Sequence, residues 1–167
     1  YEAHVTTYAH SGLTDDLTLW QTLEDHLSAT AELAAARGEP IGLAKMAHLA
    51  GALHDFGKHD PAFQRRLHGE DCRVDHSTAG AALLMAHAKG AERIPAELLA
   101  YAILGHHAGL PDREKSDTSM TNRLDRFEDR IPAGISAATQ VALTPLLPEI
   151  IARMRPGPAQ GVEVSRA

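Results

Sequence analysis

Apolar residues in this chain recur at intervals of three and four and nowhere hold a convincing period of two. That is the spacing of helices packed by one face, not of half-buried strands. Leu17, Trp20, Leu23, Leu27 and Ala31, backed by Leu33 and Ala34, end at Arg37-Gly38. A basic last turn and a C-cap glycine close that run, so it predicts an amphipathic helix of about six turns starting near Asp15. After Pro40 the nearly continuous series Ile41, Leu43, Met46, Ala47, Leu49, Ala50 and Leu53 predicts a central helix buried on several sides. Asp60-Pro61, an N-cap with proline at the first helical position, opens a short helix to about His68. Residues 77–89 and 95–105 predict two more helices, each closed by glycine, with polar loops at 69–75 and 112–120. Segments 121–130 and 136–154 also read as helical, the second broken by Pro145 and Pro148. Residues 1–13 read as an extended lead-in. The expectation is an all-α chain without internal repeat: one domain over 1–155, then a loose tail, 156–167, read as the start of a linker in a longer protein.

Composition narrows the function classes. A length of 167 residues suits one complete core, and 44% hydrophobic with 23% charged residues is ordinary for a globular chain and unlike a disordered one. No apolar stretch approaches the roughly 18 to 20 uncharged residues of a membrane span, and the first residues lack a basic and then apolar leader, so no membrane role is expected. A net charge of −6 argues against general affinity for a nucleic-acid backbone, because such binding draws on Lys and Arg displacing counterions. It leaves open a site that holds phosphate through metal ions, whose charge is absent from the total. Cys72 is the single cysteine, which rules out an internal disulfide or a thiolate metal site and makes the cytoplasm the default expectation. Eleven histidines stand against it. A metal bound by this chain would be held by imidazole and carboxylate.

Histidines and one aspartate gather at predicted helix ends. The central helix runs into Leu53-His54-Asp55-Phe56-Gly57-Lys58. Adjacent helical residues point about 100° apart, so His54 and Asp55 converge only if the helix stops there, a stop assigned to Gly57. Asp75-His76-Ser77 opens a later helix, with room between for one short helix and a returning loop. His106-His107 ends the helix of 95–105, and His26 lies on the inner side of the first helix beside Leu27. Any one of these could be a capping or solvated histidine. Five with an aspartate, at the ends or inner faces of four helices, form a pattern that a bundle can focus on one point.

These residues resemble the HD superfamily of metal-dependent phosphohydrolases, and in the fuller set the HD nuclease domain of the type I CRISPR-associated helicase-nuclease. The matching stretches, in order, are Trp20 with Glu24-Asp25-His26-Leu27; His54-Asp55-Phe56-Gly57-Lys58 with Phe63-Gln64; Asp75-His76-Ser77 with Gly80-Ala81; and Gly105-His106-His107-Ala108-Gly109-Leu110-Pro111-Asp112. The resemblance implies an HD-domain helical bundle and a nuclease for single-stranded DNA acting in CRISPR interference. Its implied partners are a helicase domain in the same or a partner chain and an RNA-guided surveillance complex. It also implies His26, His54, Asp55, His76, His106 and His107 as ligands of two metal ions, with Asp55 bridging, and Lys58 near the scissile phosphate. Histidine-rich ligation favours Mn, Fe, Co or Ni over Mg, and zinc could occupy the site and still inhibit. Arg65 and Arg66, following the HD turn, are the further candidates for contact with a DNA backbone.

The chain departs from the family pattern in having no aspartate after Asp129, where members place another ligand downstream. Asp117 and Asp125 fall in segments that read as surface and are not expected to replace it. No Gly-rich phosphate loop of a helicase is present. Two other functions stay open from the residues alone: an HD phosphohydrolase acting on a nucleotide or cyclic dinucleotide, and a catalytically silent docking domain.

Overall fold

A computed structural model describes residues 6–154. Eight α-helices are seen among them: α1 (Leu23–Gly38), α2 (Ala44–Leu53), α3 (Pro61–Leu67), α4 (Thr78–His87), α5 (Arg93–Gly105), α6 (Met120–Asp125), α7 (Ala133–Ala138) and α8 (Leu147–Met154). The fold is all-α, as expected of an HD bundle, apart from one small antiparallel ladder of β1 (Tyr8–His10) and β2 (Gln21–Thr22). The tail expected at 156–167 lies outside the described residues.

The predicted first helix is the main correction. It starts at Leu23, not Asp15, because Thr22 caps it: the Thr22 hydroxyl accepts from the Asp25 backbone N–H at 3.2 Å. Glu24 and Asp25 in the first turn and Arg37 in the last complement the helix dipole. Leu17 belongs to a 3₁₀ turn and is exposed, and Leu33, one of the two residues backing the apolar run, is exposed as well. Trp20 is buried by other means. Its indole N–H donates to the Thr14 carbonyl at 2.8 Å, and its ring packs edge-on to Tyr8 and stacks on His68.

α1 and α2 form the central pair. They run in opposite senses and approach closely at Gly51, where a β-carbon would meet the Ala31 Cα and the Thr30 carbonyl at 2.8 Å. α2 has no cap of its own, and a side chain from α8 replaces it: the Glu149 carboxylate accepts from the N–H groups of Lys45 and Met46, both at 3.0 Å. α4 and α5 pack together across the other side of α2, and Leu53, Leu84, Ile103 and Leu104 are almost wholly buried between them. Burying each such side chain contributes about 1.5–3 kcal/mol.

Two glycines set the depth of this packing. Gly80, on α4, leaves no room for a β-carbon against the Leu53 carbonyl, so α4 seats directly on the end of α2. Gly57 does not end the helix as predicted. α2 ends at Leu53, and Gly57 lies in a 3₁₀ turn (Phe56–His59) where its bare Cα faces the backbone of His76. Both contacts draw the segment before α4 against the turn after α2. Gly80→Ala is expected to cost about 1–3 kcal/mol by forcing a carbon into a packed interface. Urea unfolding reads this as a lower midpoint, and an unchanged midpoint would contradict the seating of α4 on α2.

Candidate metal centre

Asp55 sits at the centre of the molecule's titratable cluster, 3% exposed, in the turn that follows α2. Its two oxygens face two different groups of histidines. Oδ2 lies 3.0 Å from His26 Nε2 of α1, 3.2 Å from His54 Nε2 and 2.9 Å from Lys58 Nζ. Oδ1 lies 3.3 Å from His106 Nε2 and 3.6 Å from His76 Nε2. His107 joins the second group, its Nε2 being 2.7 Å from that of His76. Two sets of ligand atoms, each mutually within 4.8 Å, therefore share one carboxylate: His26, His54 and Asp55 on one side, and Asp55, His76, His106 and His107 on the other.

The hydrogen bonds behind these rings fix what the front nitrogens present. His54 Nδ1 lies 2.8 Å from the Gly51 carbonyl, and His106 Nδ1 lies 2.6 Å from that of Ile103. A carbonyl only accepts, so both Nδ1 atoms carry hydrogen, and in the neutral rings both Nε2 atoms are lone pairs. Lone pairs thus point at carboxylate oxygens, and Asp55 Oδ1 has no hydrogen-bond partner although it is buried. Acceptors facing acceptors in a buried site require a cation between them. The donor set of imidazoles around one carboxylate fits a divalent transition metal on either side.

Titration reflects the same crowding. Burial works to raise the Asp55 carboxyl, but the His106 and His54 rings and the Lys58 ammonium close around it overcome that and hold the group well below the usual carboxylate range. Burial likewise opposes a proton on His54, yet Asp55 and the Gly51 carbonyl raise that ring above the ordinary imidazole value. Burial pushes His26 and His76 down, as it does His10, on which the Lys58 ammonium acts in the same direction. The Lys58 ammonium supplies part of the positive charge the cluster needs, and protons and a metal would compete for the imidazole lone pairs.

A family model described as Cas3, HD domain, matches residues 13–155. The chain belongs to the Cas3 HD domain family. No curated protein matches it significantly. Membership in the Cas3 HD family makes the chain a metal-dependent HD phosphohydrolase of CRISPR systems with a nucleic-acid substrate. Among the described residues, no helix is long and apolar enough to cross a membrane.

The residues singled out in the sequence meet the cluster unequally. His26, His54, Asp55, His76, His106 and His107 all converge on it. Lys58 is drawn inward: 4% exposed, it donates to Asp55 and to the Ala9 carbonyl at 3.1 Å and lies over the Phe63 ring. Arg65 and Arg66 are exposed on α3, and Arg65 pairs with Glu70. Asp117 pairs with Arg126, and neither it nor Asp125 is among the clustered ligands. His59, in the turn after Asp55, hydrogen-bonds Thr7 Oγ1, and burial lowers its pKa to about 4.

One residue of the cluster's support carries no signal in the sequence. Arg123, in the short polar helix α6, reaches across to the ligand-bearing segments. Its guanidinium donates to the Leu104 carbonyl at 2.8 Å, to Ser77 Oγ at 2.7 Å, to Thr78 Oγ1 at 2.9 Å and to both Asp75 oxygens at 3.2 Å. Asp75 in turn accepts from the Ser77 N–H and the Thr78 hydroxyl. This clamp locks the backbone on either side of His76 to the last turn before His106-His107. Arg123→Ala is expected to weaken metal binding at the His76 side by about 10–100-fold, the usual effect of removing an outer support. Isothermal titration with Mn²⁺ measures it, and an unchanged affinity would show that the clamp does not position the ligands.

Proposed function

We propose that this chain is a two-metal nuclease that hydrolyses phosphodiester bonds of single-stranded DNA in CRISPR interference. The observation that carries the reading is the division of one buried carboxylate between two histidine groups, with Oδ2 facing His26 and His54 and Oδ1 facing His106 and His76. A carboxylate held that way is suited to bridging two ions. His26, His54, Asp55, His76, His106 and His107 would hold divalent ions, whose Lewis acidity would make a water nucleophilic at neutral pH and offset charge on the attacked and departing oxygens of a phosphodiester.

The chain's own residues do the rest. The backbone carbonyls of Gly51 and Ile103 hold His54 and His106 in the tautomer that presents Nε2. Arg123 keeps His76 in register with His106-His107. Lys58 neutralises Asp55 from within the fold. The outer rim, His10, His106 and His107, is exposed, so the centre opens to a strand as well as to a small ligand. An open rim favours a polymer over a nucleotide enclosed in a pocket. Histidine-rich ligation favours Mn, Fe, Co or Ni over Mg. The strand would be delivered by a helicase domain, in the same or a partner chain, at DNA opened by an RNA-guided surveillance complex in the cytoplasm.

The test is cleavage of single-stranded DNA, duplex DNA, RNA and a cyclic dinucleotide by the full-length protein with Mn²⁺, Ni²⁺ or Mg²⁺. Single-stranded DNA is expected to be cut with Mn²⁺ or Ni²⁺, and chelation to stop it. Asp55→Ala is expected to lower cleavage at least about a thousandfold, the several kcal/mol that a lost metal clamp represents, with helical circular dichroism retained. Hydrolysis of the dinucleotide alone would make it a small-molecule phosphohydrolase, and metal-free inactivity would make it a docking domain.

A further inference from the structure

His10 is the residue of the cluster's rim that neither histidine group uses. Its ring packs edge-on against His26 with centroids 5.0 Å apart, about the spacing of His26 from His54 at 5.1 Å, yet it stands outside both sets of ligand atoms and is exposed. An exposed histidine on a three-residue strand would ordinarily be free to point anywhere. Here the strand around it is fixed from several sides by residues of the HD turn and the helix that follows.

The fixing begins in the ladder. Tyr8 pairs with Thr22 and His10 with Gln21, so two steps along β1 match one along β2 and Ala9 is an extra residue, a β-bulge. A bulge bends its strand and re-aims the neighbouring side chain, and bulges concentrate beside active sites for that reason. The bulged Ala9 is 1% exposed, and its carbonyl accepts from the buried Lys58 ammonium, which also holds Asp55. Gln64 grips Tyr8 on both backbone groups, accepting from its N–H at 2.9 Å and donating to its carbonyl at 3.0 Å. The same Gln64 amide donates to the Lys58 carbonyl. Lys58 and Gln64 therefore tie the strand position of His10 to Asp55 itself. The bulge removes the simple alternation that would send Tyr8 and His10 to one face: Tyr8 packs on Trp20, and His10 on His26.

We propose that His10 is a substrate-contacting residue, whose ring N–H donates a hydrogen bond to an oxygen of the phosphodiester seated at the His26–His54–Asp55 side of the centre. This rests on the phosphodiesterase reading above. A neutral imidazole keeps one N–H, so the contact needs no proton transfer and no change of charge. A donor placed where negative charge grows on phosphate oxygens stabilises the transition state more than the ground state. The loss should therefore fall on kcat more than on KM.

The experiment pairs two measurements on the full-length protein, wild type, His10→Ala and His10→Gln: cleavage of a single-stranded oligodeoxynucleotide with Mn²⁺, and Mn²⁺ titration by calorimetry. The expected result is that His10→Ala binds Mn²⁺ like wild type but cleaves about 100-fold more slowly, the scale of one lost oxyanion donor. His10→Gln, which keeps an N–H donor of similar reach, should recover most of that rate. Three results would overturn the proposal: wild-type cleavage by His10→Ala, loss of a bound ion in His10→Ala, which would make His10 a ligand, or a Gln variant as slow as the Ala variant. A wild type that binds Mn²⁺ and cuts no phosphodiester overturns the nuclease reading and the His10 contact together, whereas an active wild type with an equally active His10→Ala overturns only the contact.

Discussion

Acceptor atoms facing acceptor atoms across the Asp55 carboxylate are the constraint around which this structure is arranged. Four imidazole nitrogens lie 3.0–3.6 Å from its two oxygens. Two of those rings are locked from behind by backbone carbonyls, so their front nitrogens cannot be hydrogen-bond donors unless the ring takes up a second proton. Burial removes the water that would otherwise separate such groups. The arrangement is stable only with positive charge in it, and the chain itself supplies a part from the Lys58 ammonium. A metal ion bound there would supply the rest, and its affinity would fall as acid protonates the ligands.

The fold concentrates these groups because four separate elements finish or begin at one place. His54 and Asp55 follow the last residue of α2, His76 precedes α4, and His106-His107 follow α5, while His26 lies in the first turn of α1. Side chains at helix ends can converge where those on helix faces would diverge. Convergence to within hydrogen-bonding distance then needs the backbones themselves to touch. Gly57 against His76 and Gly80 against Leu53 allow that on one side, and the Arg123 clamp holds it on the other. Stability and function thus use the same contacts: the helix pair that buries Leu53 and Leu84 also sets the separation of the ligands.

Much of this was legible from residue spacing, and the gaps have physical causes. The helical periodicity located most elements, and His-Asp, Asp-His and His-His pairs at helix ends marked the residues that converge on Asp55, because those pairs have few other reasons to recur. The first helix was drawn too long: Leu17 and Trp20 continue the spacing of Leu23 and Leu27, although Trp20 is buried through Tyr8, Thr14 and His68 and not through a helix face. A strand as short as Tyr8–His10 contains too few residues to show a period, so the bulge that aims His10 left no pattern. Arg123 looked like any surface arginine of a polar helix. Its partners are distant in sequence, and only the packing of α6 against α4 and α5 brings them within reach.

The measurement that bears most directly on this account is anomalous diffraction at the manganese edge from crystals of the full-length protein grown with Mn²⁺. Two anomalous peaks are predicted, one within bonding distance of His26, His54 and Asp55 Oδ2 and the other of His76, His106, His107 and Asp55 Oδ1, with the carboxylate between them. A single peak, or two peaks that do not share Asp55, would contradict it.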